Sequence, residues 1–169
     1  DLIEQKEIKI IQNHIQPVFD IQHSPENKII LSAGGGGMLS IISSEDFTST
    51  KVIKLCNDKI RAIDIYENQA AIASGDGMIR MFDLKILKVI AEFPAHKDSV
   101  YTVRFSPEGK YLLSGGKDAH LNAWQMADGI PMAIGRQMVK SIPAHNYAIY
   151  SIVFSPDGKY FATASRDKT

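Results

Sequence analysis

Short apolar runs alternate along the chain with small clusters of Gly, Pro, Asp and Ser. Within the runs, Ile, Val, Phe and Tyr recur at alternate positions, which is typical of β-strands because successive side chains point to opposite faces. No stretch shows the apolar spacing of three to four residues that an amphipathic helix requires. The clearest unit predicts four strands, at residues 100–105, 111–115, 121–125 and 138–142.

The connections in this unit are predicted from Gly and Pro. Residues 115–118, Gly-Gly-Lys-Asp, predict a tight turn between the second and third strands. Residues 126–138 contain Gly129, Pro131 and Gly135, so we expect a longer loop there and not a helix.

The same unit occurs four times. First strands begin at Val18, Ile60, Val100 and Ile149, about 40 to 50 residues apart, which is the repeat length of four-stranded propeller blades. Residues 105–111, Phe-Ser-Pro-Glu-Gly-Lys-Tyr, return almost unchanged as residues 154–160, Phe-Ser-Pro-Asp-Gly-Lys-Tyr. Both segments predict a strand, a Pro-Gly turn and a second strand.

The repeat resembles the WD-repeat family, in which a His precedes the first strand, a Ser or Thr lies on the second, an Asp in the next turn and a Trp on the third. The resemblance covers nearly the whole chain and implies an all-β partial β-propeller of about four repeats, with four-stranded antiparallel blades. It also implies that these residues form a buried hydrogen-bond network. The matching positions are His96, Ser114, Asp118 and Trp124 in the third unit, and His145, Thr163 and Asp167 in the fourth.

The first two units depart from the family pattern. In the first, His14 and Ser32 match, but Gly36 and Ile42 stand where Asp and Trp belong. In the second, Asp76 matches, but Cys56 stands at the His position and Phe82 at the Trp position, and Ser74 is displaced by a shorter turn.

The predicted organisation is a single propeller region that this chain does not close by itself. Residues 1–12 are expected to be an outer strand of a preceding blade, because residues 7–12 resemble the predicted outer strands at 51–55 and 88–93. A closed ring would need roughly 300 residues. We expect the remaining blades or a second copy to cover the open ends. The predicted blades are residues 13–56, 57–95, 96–143 and an incomplete 144–169.

Composition narrows the classes of partner and compartment. The net charge is zero and the pI is about 7.1, so there is no electrostatic case for nucleic acid or for an anionic membrane surface. No apolar run has the roughly 20 residues of a membrane helix. Cys56 is the only cysteine and cannot form an internal disulfide, which is compatible with a reducing, cytoplasmic location.

Three patterns that suggest chemistry have simpler explanations. The His–Ser/Thr–Asp trio recurs with the repeat, whereas a catalytic triad belongs to one active site. The glycines at 34–37 follow a strand, but neither a helix nor a Gly-Lys-Ser/Thr sequence follows them, so a turn is favoured over a phosphate loop. No Cys/His pair has a zinc spacing. We therefore expect no enzyme activity, no metal and no cofactor.

The family resemblance places partner binding on one end of the propeller, here called the top face. It implies that three positions of each repeat contact the partner. These are the residues before and after the first apolar residue of the first strand, and the residue before the turn Asp. These sets are Pro17, Lys59, Ser99 and Ala148; Phe19, Arg61, Tyr101 and Tyr150; and Gly35, Gly75, Lys117 and Arg166.

These positions predict an aromatic centre with a basic surround, because three are aromatic and four carry Lys or Arg. Aromatic residues and Arg are frequent in binding hot spots. We therefore predict a scaffold for other proteins, including acidic peptide segments. One alternative is that the aromatics pack on neighbouring blades. Two other functions stay open: a propeller hydrolase or lyase whose site lies in further blades, and a sensor or docking part of a larger signalling protein.

Overall fold

A computed structural model describes residue 3 and residues 6–127, 130–131 and 138–169. In these residues the chain forms antiparallel sheets in succession, and each sheet is called a blade. The one helical element among them is a single 3-10 turn at Gly35–Gly37. The all-β fold class is confirmed.

The blades follow each other in chain order. Blade 1 contains β1 (Val18–Ser24), β2 (Ile29–Gly34), β3 (Met38–Ser43) and β4 (Ser49–Lys54). Blade 2 contains β5 (Ile60–Tyr66), β6 (Gln69–Ser74), β7 (Met78–Asp83) and β8 (Lys88–Pro94). Blade 3 contains β9 (Val100–Phe105), β10 (Tyr111–Gly116), β11 (His120–Ala127) and β13 (Met138–Pro143), and the short β12 (Ile130–Pro131) pairs with the end of β11. Blade 4 contains β14 (Ile149–Phe154) and β15 (Phe161–Ser165).

The first strands β1, β5, β9 and β14 are the inner strands, and each lies next to the inner strand of the following blade. Apolar side chains fill the spaces between blades. Leu31, Ile41 and Phe82 belong to the cluster between blades 1 and 2, and Phe93 and Trp124 belong to the cluster between blades 2 and 3. A sheet with a neighbour on each face buries consecutive residues, which explains the fully buried run Ala-Ala-Ile-Ala at residues 70–73.

The described part of residues 1–12 does not form the outer strand predicted there. Residues 6–17 form no strand, and Asp1, Leu2, Glu4 and Gln5 lie outside the described residues. An outer strand is hydrogen-bonded to the third strand of its own blade, and no described strand is available for residues 7–12. In the loop predicted at 126–138, residues 128–129 and 132–137 also lie outside the description.

Candidate functional site

Each inner strand carries a β-bulge near its first residue. The pairing register skips Phe19, Arg61, Tyr101 and Tyr150, while the residues on either side remain paired with the second strand of the blade. A bulge adds one unpaired residue and redirects its side chain. The four redirected side chains line one shallow cavity of about 290 Å³. The structure therefore brings together all four residues predicted at the position after the first apolar residue.

These four side chains stack in blade order, and we call them the stacking row. The Arg61 guanidinium carbon lies 5.1 Å from the centre of the Phe19 ring and 5.0 Å from that of the Tyr101 ring. The Tyr101 and Tyr150 rings are stacked, with centroids 5.5 Å apart and planes at 15°. Such contacts contribute about 0.5–1.5 kcal/mol each.

The stacking row contacts neighbouring blades and remains accessible. Phe19 is 39% exposed and Tyr150 is 53% exposed, and Arg61 and Tyr101 are partly buried. The alternative that the aromatics pack on neighbouring blades is therefore right about their contacts. It does not require them to be buried in the core, since all four line an open cavity.

The surround of the stacking row is less basic than the sequence indicated. Lys117 is ion-paired with Asp98 at 3.0 Å, and this partner raises the pKa of Lys117. Asp58 accepts a hydrogen bond from the backbone N–H of Lys59. Asp58 and Asp98 each lie two residues before the first apolar residue of a blade, a position that the family pattern did not single out.

The other predicted surround residues make separate contacts. The Ser99 hydroxyl donates to the carbonyl oxygen of Gly75 at 3.0 Å, so it links two blades. The Arg166 guanidinium carbon lies 5.9 Å from the Tyr147 ring centre. The top face therefore combines stacked side chains with cations that are only partly neutralised.

The structure brings the four family residues of blade 3 into one hydrogen-bond chain. Trp124 Nε1 can only donate, and it donates to Ser114 Oγ at 3.2 Å. The Ser114 hydroxyl then donates to His96 Nε2 at 2.8 Å. His96 Nδ1–H donates to Asp118 at 2.9 Å. This order requires a neutral His96 with its proton on Nδ1.

The direction of the pKa shift of His96 agrees with a neutral ring. Burial lowers the pKa of His96, against the opposing effect of its hydrogen bond to Asp118. Burial alone would raise the pKa of Asp118, but hydrogen bonds from His96 and from nearby backbone N–H groups outweigh it and lower that pKa. These hydrogen bonds connect the loop before blade 3 to the turn between the second and third strands of that blade.

Blade 4 repeats the arrangement with a threonine. His145 Nε2 lies 2.8 Å from Thr163 Oγ1, and its Nδ1 lies 3.0 Å from Asp167. In blade 1, His14 Nε2 lies 2.8 Å from Ser32 Oγ, but His14 Nδ1 is buried without a hydrogen-bond partner among the described residues. The carboxylate that the other networks use is missing here, because Gly36 stands at the position of the turn Asp.

In blade 2, where Cys56 stands at the histidine position, the turn is bound by an arginine of the third strand. Arg80, 7% exposed, donates to Ser74 Oγ at 2.8 Å and to Asp76 at 2.7 Å. Arg80 pairs with Ile72 in the register in which Asn122 pairs with Ser114. The sequence analysis missed Arg80, although an arginine between the apolar residues Ile79 and Met81 was a detectable signal.

Two aspartates join neighbouring inner strands. Asp20 accepts from the backbone N–H of Ile63 at 2.7 Å, and Asp64 accepts from that of Phe105 at 2.6 Å. Burial raises the pKa of Asp64, opposed by the bond from Phe105. These residues also escaped the sequence analysis, because their partners are backbone groups of another blade.

Metal-ligating side chains, membrane-spanning helices and the Cys56 thiol are the other features of the described residues that bear on function. No group of three or more His, Cys, Asp or Glu side chains there is arranged to hold a metal ion. No helix in that part of the chain has the length and hydropathy to cross a membrane. Burial raises the pKa of the Cys56 thiol, which does not favour a reactive thiolate.

Comparison with known proteins gives consistent family matches. Residues 87–125 and 136–169 each match the family model described as WD domain, G-beta repeat. The mouse protein named guanine nucleotide-binding protein subunit beta-like protein 1 is 28% identical over 131 residues. That match covers 75% of this chain and 40% of the mouse protein.

Two solved structures have the same fold. A chain in a crystal structure of a mitotic checkpoint complex superposes with a TM-score of 0.78 at 19% identity, covering 91% of this chain and 48% of that chain. The WD40 β-propeller domain of Doa1 superposes with a TM-score of 0.78 at 21% identity, covering 93% and 50%. At these identities the likeness concerns the fold, and this chain spans about half of each.

Proposed function

We propose that this chain, which belongs to the WD-repeat β-propeller family, is a protein-interaction scaffold that docks its partner on the top face. WD-repeat propeller proteins generally act as interaction scaffolds. The assignment of the docking site to the stacking row is our own. The observation that carries it is a stacked, solvent-accessible row that crosses four blades and lines one cavity.

The stacking row has the composition of a binding centre. Aromatic side chains and arginine provide large contact areas and are enriched where truncation costs most affinity. The rigid blades hold these side chains in place before binding, so little side-chain entropy of the propeller is lost when the partner binds. Lys59 and Arg166 add positive charge beside the row. This combination favours a partner segment that contains both acidic and apolar residues.

The test is Tyr150→Ala compared with Tyr160→Ala. Tyr150 is 53% exposed in the row, whereas Tyr160 is 74% exposed and follows the turn at the opposite end of the β14–β15 hairpin. Proteins retained by each immobilised variant are quantified by mass spectrometry. The most abundant binding protein is then purified for calorimetric titration.

We expect Tyr150→Ala to weaken binding about 30-fold, equivalent to a hot-spot loss of about 2 kcal/mol. Tyr160→Ala should leave the affinity unchanged. Tyr150→Ala loses the stacking contact with Tyr101, so its free energy of unfolding should fall by no more than about 0.5–1.5 kcal/mol. Tyr160→Ala, whose ring is mostly in solvent, should unfold close to the wild type. Equal affinities for the two variants would contradict docking on the top face.

A further inference from the structure

We infer that Arg61 is the anchor of the top face, and that it binds the carboxylate of an aspartate or glutamate in the partner. This inference rests on the proposed function and adds the chemical group that is recognised. The observation behind it is the surroundings of the Arg61 guanidinium, which differ from those of Arg80 and Arg104, the other partly or fully buried arginines among the described residues.

The hydrogen-bonding groups of Arg61 are unused. No described residue accepts a hydrogen bond from Arg61 or forms an ion pair with it, and its Nε is buried without a partner. A guanidinium carries five N–H donors, and buried donors are satisfied in nearly all proteins. Arg80 Nε is also buried without a hydrogen bond, but the two terminal nitrogens of Arg80 are bonded to Ser74 and Asp76. Arg104 is bonded to the carbonyl oxygen of Ile63.

Stacking leaves one direction of approach. The rings of Phe19 and Tyr101 each lie about 5 Å from the guanidinium carbon, and they come from the blades on either side. A ligand can therefore reach Arg61 only along the edge of its plane. Two coplanar oxygens at the edge of a planar guanidinium form two parallel hydrogen bonds, which is the geometry of an arginine–carboxylate pair.

The charge of the site favours a carboxylate over a phosphate. Arg61 is the only cation among the four residues that line the cavity, and Lys117 nearby is paired with Asp98. A phosphate group carries close to two negative charges, and one guanidinium leaves that charge half compensated. A carboxylate matches the single positive charge.

The test uses three heptapeptide amides, Ser-Leu-Gly-Xaa-Gly-Leu-Ser, in which the central residue is Glu, Gln or phosphoserine. Each is titrated into the intact ¹⁵N-labelled protein, and NMR follows the Nε–Hε resonance of Arg61 and the ring resonances of the stacking row. Arg61→Met removes the charge at similar length, and Arg61→Lys keeps the charge but loses the planar fork. Lys159→Met is the matched control, because it removes a cation that is paired with Asp157 at the opposite end of the β14–β15 hairpin.

We expect the Glu peptide to shift the Arg61 Nε–Hε resonance and to bind at least tenfold more tightly than the Gln peptide. Arg61→Met should abolish this difference, Arg61→Lys should reduce it, and Lys159→Met should retain it. The comparison of Glu with Gln in the wild type needs no variant to fold.

Three results would overturn the inference. Equal binding of the Glu and Gln peptides, weakened by Tyr150→Ala, would leave the top face as a docking site but remove Arg61 as a carboxylate receptor. Tightest binding by the phosphoserine peptide would assign the site to phosphate. Unchanged resonances for the whole stacking row with every peptide would contradict both this inference and the proposed function.

Discussion

Ser114→Ala is expected to be among the most damaging single-atom changes in this protein. The Ser114 hydroxyl is fully buried and lies between two side chains, accepting from Trp124 Nε1 at 3.2 Å and donating to His96 Nε2 at 2.8 Å. Alanine removes both bonds at once. Since both partners stay in place, each is left with a polar nitrogen facing an apolar methyl group.

The magnitude follows from those two orphaned groups. A buried donor or acceptor without a partner costs about 1–3 kcal/mol, so the two groups together lower the expected free energy of unfolding of Ser114→Ala by about 2–6 kcal/mol. Ser32→Ala in blade 1 is the matched control. Ser32 is 5% exposed and contacts only His14 in the equivalent network, and His14 is only half-buried. We expect a loss of about 1 kcal/mol there.

Urea unfolding measures both variants, followed by circular dichroism and by the fluorescence of Trp124, the only tryptophan. Fluorescence reports on blade 3 directly, and circular dichroism reports on all blades, so a local loss of blade 3 would separate the two signals. If Ser114→Ala loses no more than Ser32→Ala, the hydrogen-bond chain does not stabilise blade 3 and the reasoning is refuted.

Acid and the loss of a buried arginine should each weaken one blade. The pKa of His96 is lowered below 6.5, so the unfolded chain protonates first and stability falls as the pH drops below 6.5. The pKa of Asp118 is lowered from 3.8, so Asp118 adds a further loss of stability only as the pH falls below about 3.8. His96→Gln should reduce the slope of stability against pH between about 8 and 5, and an unchanged slope would contradict this. In urea unfolding, Arg80→Met should lower the free energy of unfolding by about 1–3 kcal/mol, because it leaves Asp76 without its ion-pair partner. Lys28→Met, which removes an exposed ion pair, should lower it by less than about 0.5 kcal/mol. Equal losses for the two variants would contradict the role of Arg80.

Strand positions were predictable because their causes are local. The strand predicted at 100–105 is observed with the same bounds, and the one predicted at 121–125 is observed as His120–Ala127. Pro and Gly stop the apolar alternation at each turn, and that information lies within a few residues. The segment 7–12 resembled an outer strand for the same local reason. It forms no strand because pairing needs a neighbouring strand, which local sequence cannot supply.

The candidate site was predictable only as a set of positions. Repeat spacing placed Phe19, Arg61, Tyr101 and Tyr150 at equivalent points of four strands. Their stacking depends on β-bulges that redirect each side chain and on the distance between adjacent blades. The pairing of Lys117 with Asp98, and with it the less basic surround, likewise depends on how two loops approach each other.

The sequence alone determined the repeat and the strands, since a fixed period and alternating polarity are properties of the chain itself. The resemblance to the WD-repeat family then indicated which residues form the His–Ser–Asp–Trp network. The tertiary structure decided which polar groups are satisfied. His96 donates to Asp118, and in blade 2 the arginine Arg80 binds the turn residue Asp76. Arg61 lies between two rings and has no hydrogen-bond partner among the described residues. Hydrogen bonds and stacking act over a few ångströms between residues that are distant in sequence, so only the packing of the blades could determine them.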